Sequence, residues 1–187
     1  MIIRDGRKQR LVQSYKIAAQ TYLTYIGYIY EIHAEGHVYK VEFNKKDFLH
    51  LCGVTTNLSA TDFFENCVNS TLTKNNICTN QRKDWNSLKG KEKCLLNLQH
   101  LITTPTDSLF LEDLVTSTFT FPVAIRNDNR DIAIAFKANK NYVARSLRKA
   151  RHSVNCSHSY IIDTIYRYPK NDIQNSTLIY KRIMETN

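Results

Sequence analysis

The stretch NYVARSLRKARH, Asn141 to His152, sets five basic side chains, counting His152, around an Ala-Arg-Ser-Leu core with no acid among them. Arginine forks match phosphate oxygens, and a serine hydroxyl beside backbone N–H groups adds a neutral donor. Arg145, Arg148 and Lys149 stand at spacings that let them converge on phosphate, with Ser146 among them, and the Tyr142 ring can stack on a base. The bland alternative is a solvated basic face. Acid depletion around the stretch favours phosphate: from Ile132 to Ile162 there is no Asp or Glu, while Lys137, Lys140, Arg145, Arg148, Lys149 and Arg151 all fall inside.

A second candidate is His50 in DFLHLCG. Its imidazole can pass protons in RNA cleavage, taking one from a 2′-hydroxyl or giving one to a leaving oxygen. Set among Phe48, Leu49 and Leu51, it also reads as a half-buried packing residue. His152, Cys156 and His158 resemble a metal triad, but a fourth ligand is missing and the spacing is not a zinc pattern. The two histidines serve better as spare acids or bases beside the basic stretch. With no G-x-S-x-G elbow, P-loop or G-x-G-x-x-G turn, the chain offers no motif for nucleophilic triads, nucleotide hydrolysis or dinucleotide redox chemistry. Tyr160, Tyr166, Tyr168 and Tyr180 lie where they can line a concave sheet face.

The whole chain carries the same bias. Lys and Arg number 26 against 17 acids, a formal charge of +9, which suits polyanionic partners. A second basic cluster, Arg4, Arg7, Lys8 and Arg10, opens the chain with only Asp5 to offset it. At 187 residues the chain fits one domain, and five Gly and three Pro argue against long linkers. Five scattered cysteines without a C-x-x-C suggest reduced thiols in a cytosol, so the N-x-S/T sequons at Asn57, Asn69, Asn155 and Asn175 carry no meaning. No early run reads as a signal peptide, and no stretch approaches a membrane span.

Several elements must position these side chains. Leu11, Tyr15, Ala18, Ala19, Tyr22 and Ile26 recur at steps of three and four, predicting an amphipathic helix from about Lys8 to Tyr25. YIYEIH and HVYKVEF flank Ala34-Glu35-Gly36 as a β-hairpin. Asn44 and Asp47 open a short helix that Gly53 ends, Ser59 with Asp62 caps another, and a longer helix runs from near Ser87 toward Pro105. In the last third, STFTFPVAI, DIAIAFK, SYIIDTIYRY and TLIYKRI predict four strands of an antiparallel meander. The basic stretch then falls between its second and third strands, as a loop with a short helical turn. The fold class expected is α+β: a helical N-terminal part with a β-hairpin (about 1–115), packed on a C-terminal four-stranded antiparallel sheet (about 116–184), in a single domain over 1–187.

The order of these pieces resembles a phage and prophage family placed with the barnase, EndoU, colicin-type and RelE-like nucleases, the fourth of the phage-borne groups. The likeness runs from about Ala18 to Ile183. Phe48-Leu49-His50-Leu51 with Gly53 is similar to the family's F-x-H-L-x-G signature, and Tyr142 to Leu147 to its Y-x-P-R-[ST]-L segment, with Ala144 where Pro is expected. The resemblance implies a barnase/RelE-like fold and an endoribonuclease that needs no metal or cofactor. RNA would lie on the sheet face. Arg145 and Lys137 would steady charge on the scissile phosphate, His50 would act as general acid or base, and Ser146 would orient the phosphate. Tyr142, Arg148, Lys149, Arg151 and His152 would bind RNA. The expected setting is a phage- or prophage-encoded toxin in the cytoplasm of a bacterial host, with RNA and an antitoxin-like or host protein as partners and no membrane. The competing expectation is a non-catalytic inhibitor or nucleic-acid-binding protein using the same basic surface.

Overall fold

The computed structural model describes residues 5–78, 85–117, 119–152 and 155–183; Arg4 of the N-terminal basic cluster and Thr118 of the segment STFTFPVAI lie outside them. Helix α1 (Asp5–Leu23) buries Leu11, Tyr15, Ala18, Ala19 and Tyr22, the stripe that the spacing predicts. Strands β1 (Tyr28–Ala34) and β2 (His37–Glu42) pair antiparallel with Ala34 opposite His37. The two turn residues Glu35 and Gly36 both have positive φ, the backbone of a tight hairpin turn that matches the strand twist.

A short 3₁₀ turn (Lys45–Asp47) leads into α2 (Phe48–Cys52), which Gly53 ends at φ 68. Thr55–Thr56 (β3) and Ile77–Cys78 (β4) form a small separate ladder. Between them, α3 (Ala60–Val68) starts where Ser59 Oγ accepts from the Asp62 N–H at 3.1 Å. The single helix expected from Ser87 is two, α4 (Trp85–Leu95) and α5 (Gln99–Ile102).

The remaining strands are β5 (Ser108–Val115), β6 (Thr120–Asn127), β7 (Ile132–Lys137), β8 (Tyr142–Arg148), β9 (His158–Pro169) and β10 (Thr177–Lys181). They overturn the four-stranded antiparallel sheet. The order β1-β2-β8-β7-β6-β5-β9 closes through a β1–β9 pairing into a seven-strand barrel, with β10 added to β9 outside the ring. The barrel is mixed, since β2 and β8 run parallel at Val41–Tyr142 and Glu42–Val143. The hairpin therefore forms part of the sheet, and β5 lies in the segment expected to be helical. Closure removes the free edges that a four-stranded sheet would expose.

Tyr39 from β2 stacks on Phe110 from β5 across the interior, with ring centroids 3.9 Å apart. Tyr22, Phe48 and Phe64 of the three N-terminal helices join Phe43 in one aromatic cluster continuous with that interior. Each such fully buried ring contributes about 1.5–3 kcal/mol. A second, smaller cluster of Leu111, Leu114, Phe121, Ala124 and Ala135 lies on the other face of β5, β6 and β7.

Candidate functional site

The acid-free stretch folds as a strand, β8, and only Ala150–His152 forms the short helical turn expected of a loop. Its C-terminal end, α4 and the β5–β6 turn enclose a cleft of about 680 Å³ whose basic side chains are Lys91, Arg148, Lys149, Arg151 and His152. Helix α4 is set in place by Glu92, whose buried Oε1 accepts from Ser14 Oγ at 2.6 Å and from Arg10 Nε at 3.0 Å on α1. The preceding residue, Lys91, donates from Nζ to the Leu147 carbonyl at 2.8 Å, joining helix to strand.

Arg148 is held by a hydroxyl and an aromatic ring. It donates from Nη2 to Ser146 Oγ at 3.2 Å, and its guanidinium carbon sits 5.4 Å from the Phe121 ring centroid. Burial pushes its guanidinium pKa down, and Nε is buried with no hydrogen-bond partner among the described residues. A desolvated cation of this kind gains more from an incoming phosphate than a solvated one.

The structure thus gathers Ser146, Arg148, Lys149, Arg151 and His152 and spreads the other expected residues around them. Arg145 is the extra residue of a β-bulge, because Ala135 pairs with Ser146 and Phe136 with Ala144. Lys137 is exposed at the end of β7 opposite Val143, and Tyr142 packs against the main core. Tyr142 and Arg148 stand six positions apart on one strand, a span of about 20 Å. His50 is exposed on α2, one helical turn before Gly53. A Cβ on Gly53 would collide with Lys91 Cδ, so this end of α2 lies under the Lys91 side chain. No group of three or more His, Cys, Asp or Glu among the described residues is placed to hold a metal ion, and His152, Cys156 and His158 form none.

Tyr166 and Tyr168 do not join Tyr160 on one concave face. Register along β9 shifts between Ile162 and Thr164, and beyond that bulge Tyr166 meets His33 while Tyr168 lies 5.8 Å from Lys40 Nζ. Tyr160 instead donates to Glu112 Oε2 at 3.2 Å, and Tyr39 donates to Glu112 Oε1 at 2.8 Å. Burial, then the bond to Glu112, pushes both phenol pKa values up. Sequence reasoning missed this carboxylate, whose partners are 73 and 48 residues away. Its one local sign is an acid pair, Glu112-Asp113, inside the otherwise apolar run of β5.

No helix among the described residues is long and apolar enough to cross a membrane. No curated protein and no solved structure matches the chain. The family model described as phage-Barnase-EndoU-ColicinE5/D-RelE like nuclease 4 matches residues 15–184, which include α2, β8, the basic cleft and Glu112. The chain belongs to that nuclease family.

Proposed function

We propose that this member of a nuclease family is an endoribonuclease that cuts RNA by attack of the 2′-hydroxyl on the adjacent phosphate, without a metal ion. The observation that carries the reading is the convergence of Arg148, Lys149, Arg151 and His152 with Lys91 in one cleft. Four of the five come from the acid-free stretch, so no carboxylate of that segment competes with phosphate. Arg148 with Ser146 makes a fork-and-hydroxyl pair suited to two oxygens of one phosphate. Arg145 adds positive charge from the bulge, where an extra residue re-aims a side chain. Lys149 and Arg151 follow the backbone on either side, and His50 is the imidazole on the α2 flank.

Because the nucleophile is the substrate's own 2′-hydroxyl, the protein has only to hold the phosphate, stabilise its developing charge and move protons. The products then carry 2′,3′-cyclic phosphate and 5′-hydroxyl ends. Purified protein incubated with RNA in EDTA is expected to yield those ends and to leave DNA of matching sequence intact. Failure to cut any RNA, or cutting only after a divalent metal is added, overturns the reading. A toxin role follows from it: expression in a bacterium arrests growth, and Arg148→Ala relieves the arrest.

A further inference from the structure

Outside the basic cleft, three strands distant in sequence bring two phenols and an imidazole onto one carboxylate. Besides the bonds from Tyr39 and Tyr160, Glu112 Oε2 stands 3.7 Å from His158 Nδ1. That nitrogen also lies 3.2 Å from the Ser157 hydroxyl, which donates to Asp113 Oδ2 at 2.9 Å. The same hydroxyl lies 3.3 Å from the Glu112 carbonyl, and because both of these oxygens can only accept, its single proton goes to one of them and its oxygen accepts from His158 Nδ1–H. Nε2 is then the nitrogen left to exchange a proton, on a side chain 65% exposed, while the Glu112 carboxylate behind it is 30% exposed. From β2, the His37 ring packs on Tyr160 at 4.4 Å between centroids and closes the cluster.

The cluster adjoins the cleft. Glu112 and His158 face each other in the β5–β9 ladder, and the next bridge along it, Val115 to Asn155, joins two residues that line the basic cleft. Three residues of extended chain span at most about 10 Å, which is the separation along β5 between Glu112 and the cleft wall at Val115.

The geometry points to His158 as the acid catalyst of RNA scission, with Glu112, clamped by Tyr39 and Tyr160, as the positioning residue that keeps the imidazole aimed. This rests on the endoribonuclease reading above. In the step, the O2′–P bond forms as the 2′-hydroxyl loses its proton to solvent water. The P–O5′ bond breaks as His158 Nε2–H gives its proton to the departing O5′, and the neutral ring later regains a proton from water. Two phenol donors hold the Glu112 carboxylate in one rotamer, which fixes the group against which the imidazole rests.

A structural role alone, in which Glu112 merely ties Tyr39 to Tyr160 across the barrel, predicts changed melting temperature and unchanged chemistry. The test uses two RNAs of one sequence, one all-oxygen and one with sulfur in place of the scissile 5′-oxygen. A thiolate leaves without being protonated. His158→Ala, at an exposed position, is expected to lower kcat on the all-oxygen RNA by about 10²- to 10⁴-fold with KM little changed. Glu112→Gln gives a smaller loss in the same direction, and both variants cut the sulfur-containing RNA almost as fast as the wild type. If the wild type cuts RNA and His158→Ala cuts the all-oxygen substrate equally well, or its loss persists with sulfur, the assignment is overturned and the endoribonuclease reading stands. If the wild type cuts neither RNA, both fall.

Discussion

Arg148 and Arg145 share a strand and differ in what surrounds them. Arg148 is anchored by Ser146 and Phe121 at the cleft wall, so its guanidinium is already partly desolvated before any phosphate arrives. Replacing it with Ala removes a fork worth about 1.5–3 kcal/mol, and RNA binding measured by filter retention is expected to weaken roughly 10- to 100-fold. Arg148→Lys restores the charge without the planar fork and recovers only part of that loss. Arg145, in the bulge, has no such anchor among the described contacts. If it steadies the transition state, Arg145→Ala lowers turnover far more than affinity. Equal small losses in both would return it to the solvated face that its composition also allows.

Among the elements, α2 shows how one backbone position serves the cleft. Gly53 ends the helix in the left-handed region, and a Cβ there would collide with the Lys91 side chain that donates to the Leu147 carbonyl. Gly53→Ala therefore costs about 1–2 kcal/mol in backbone strain, read by chemical denaturation, and also displaces Lys91 and weakens RNA binding. Ser59→Ala, which removes the cap of α3 away from the cleft, costs about 1 kcal/mol and leaves binding unchanged. The two variants separate stability from function. Helix α4 is held by a buried carboxylate, Glu92, so the cleft's helical wall depends on a polar contact with α1 as well as on apolar packing.

For the whole molecule, two dependences follow from the distribution of charge and of tyrosine. Four permanent cations in the cleft, Lys91, Arg148, Lys149 and Arg151, predict a slope of about −3 for log affinity against log salt on single-stranded RNA, and Lys149→Ala reduces it by about 0.7. Burial pushes the phenols of Tyr15, Tyr22, Tyr25 and Tyr30 above their ordinary value of 10.0, Tyr30 to about 12. A raised folded pKa contributes stability that is fully present below pH 10 and is lost as pH rises through 10 toward the folded values. Each such phenol costs about 1.4 kcal/mol per pH unit in that window. Thermal melts between pH 8 and 11 are expected to fall steeply above pH 10, and a flat profile would contradict the burial of these rings.

Local regularities of the chain determined α1, the β1–β2 hairpin, the caps at Ser59 and Gly53, four of the strands and the acid-free basic stretch. Each of these depends on residues within a few positions of one another, where periodicity and turn chemistry act. The family signature around His50 and Tyr142 is local in the same sense. Only the tertiary structure decided that the sheet closes. Closure needs β1 against β9 and β2 parallel to β8, pairings between residues about a hundred or more positions apart with no local trace. Strand β8 was hidden because its Arg145 bulge breaks the two-residue alternation, and β5 because Glu112 and Asp113 interrupt an apolar run. The Glu112 cluster was hidden for the first reason: a hydrogen bond joins groups that are close in space, and here the chain brings them together only by closing the barrel.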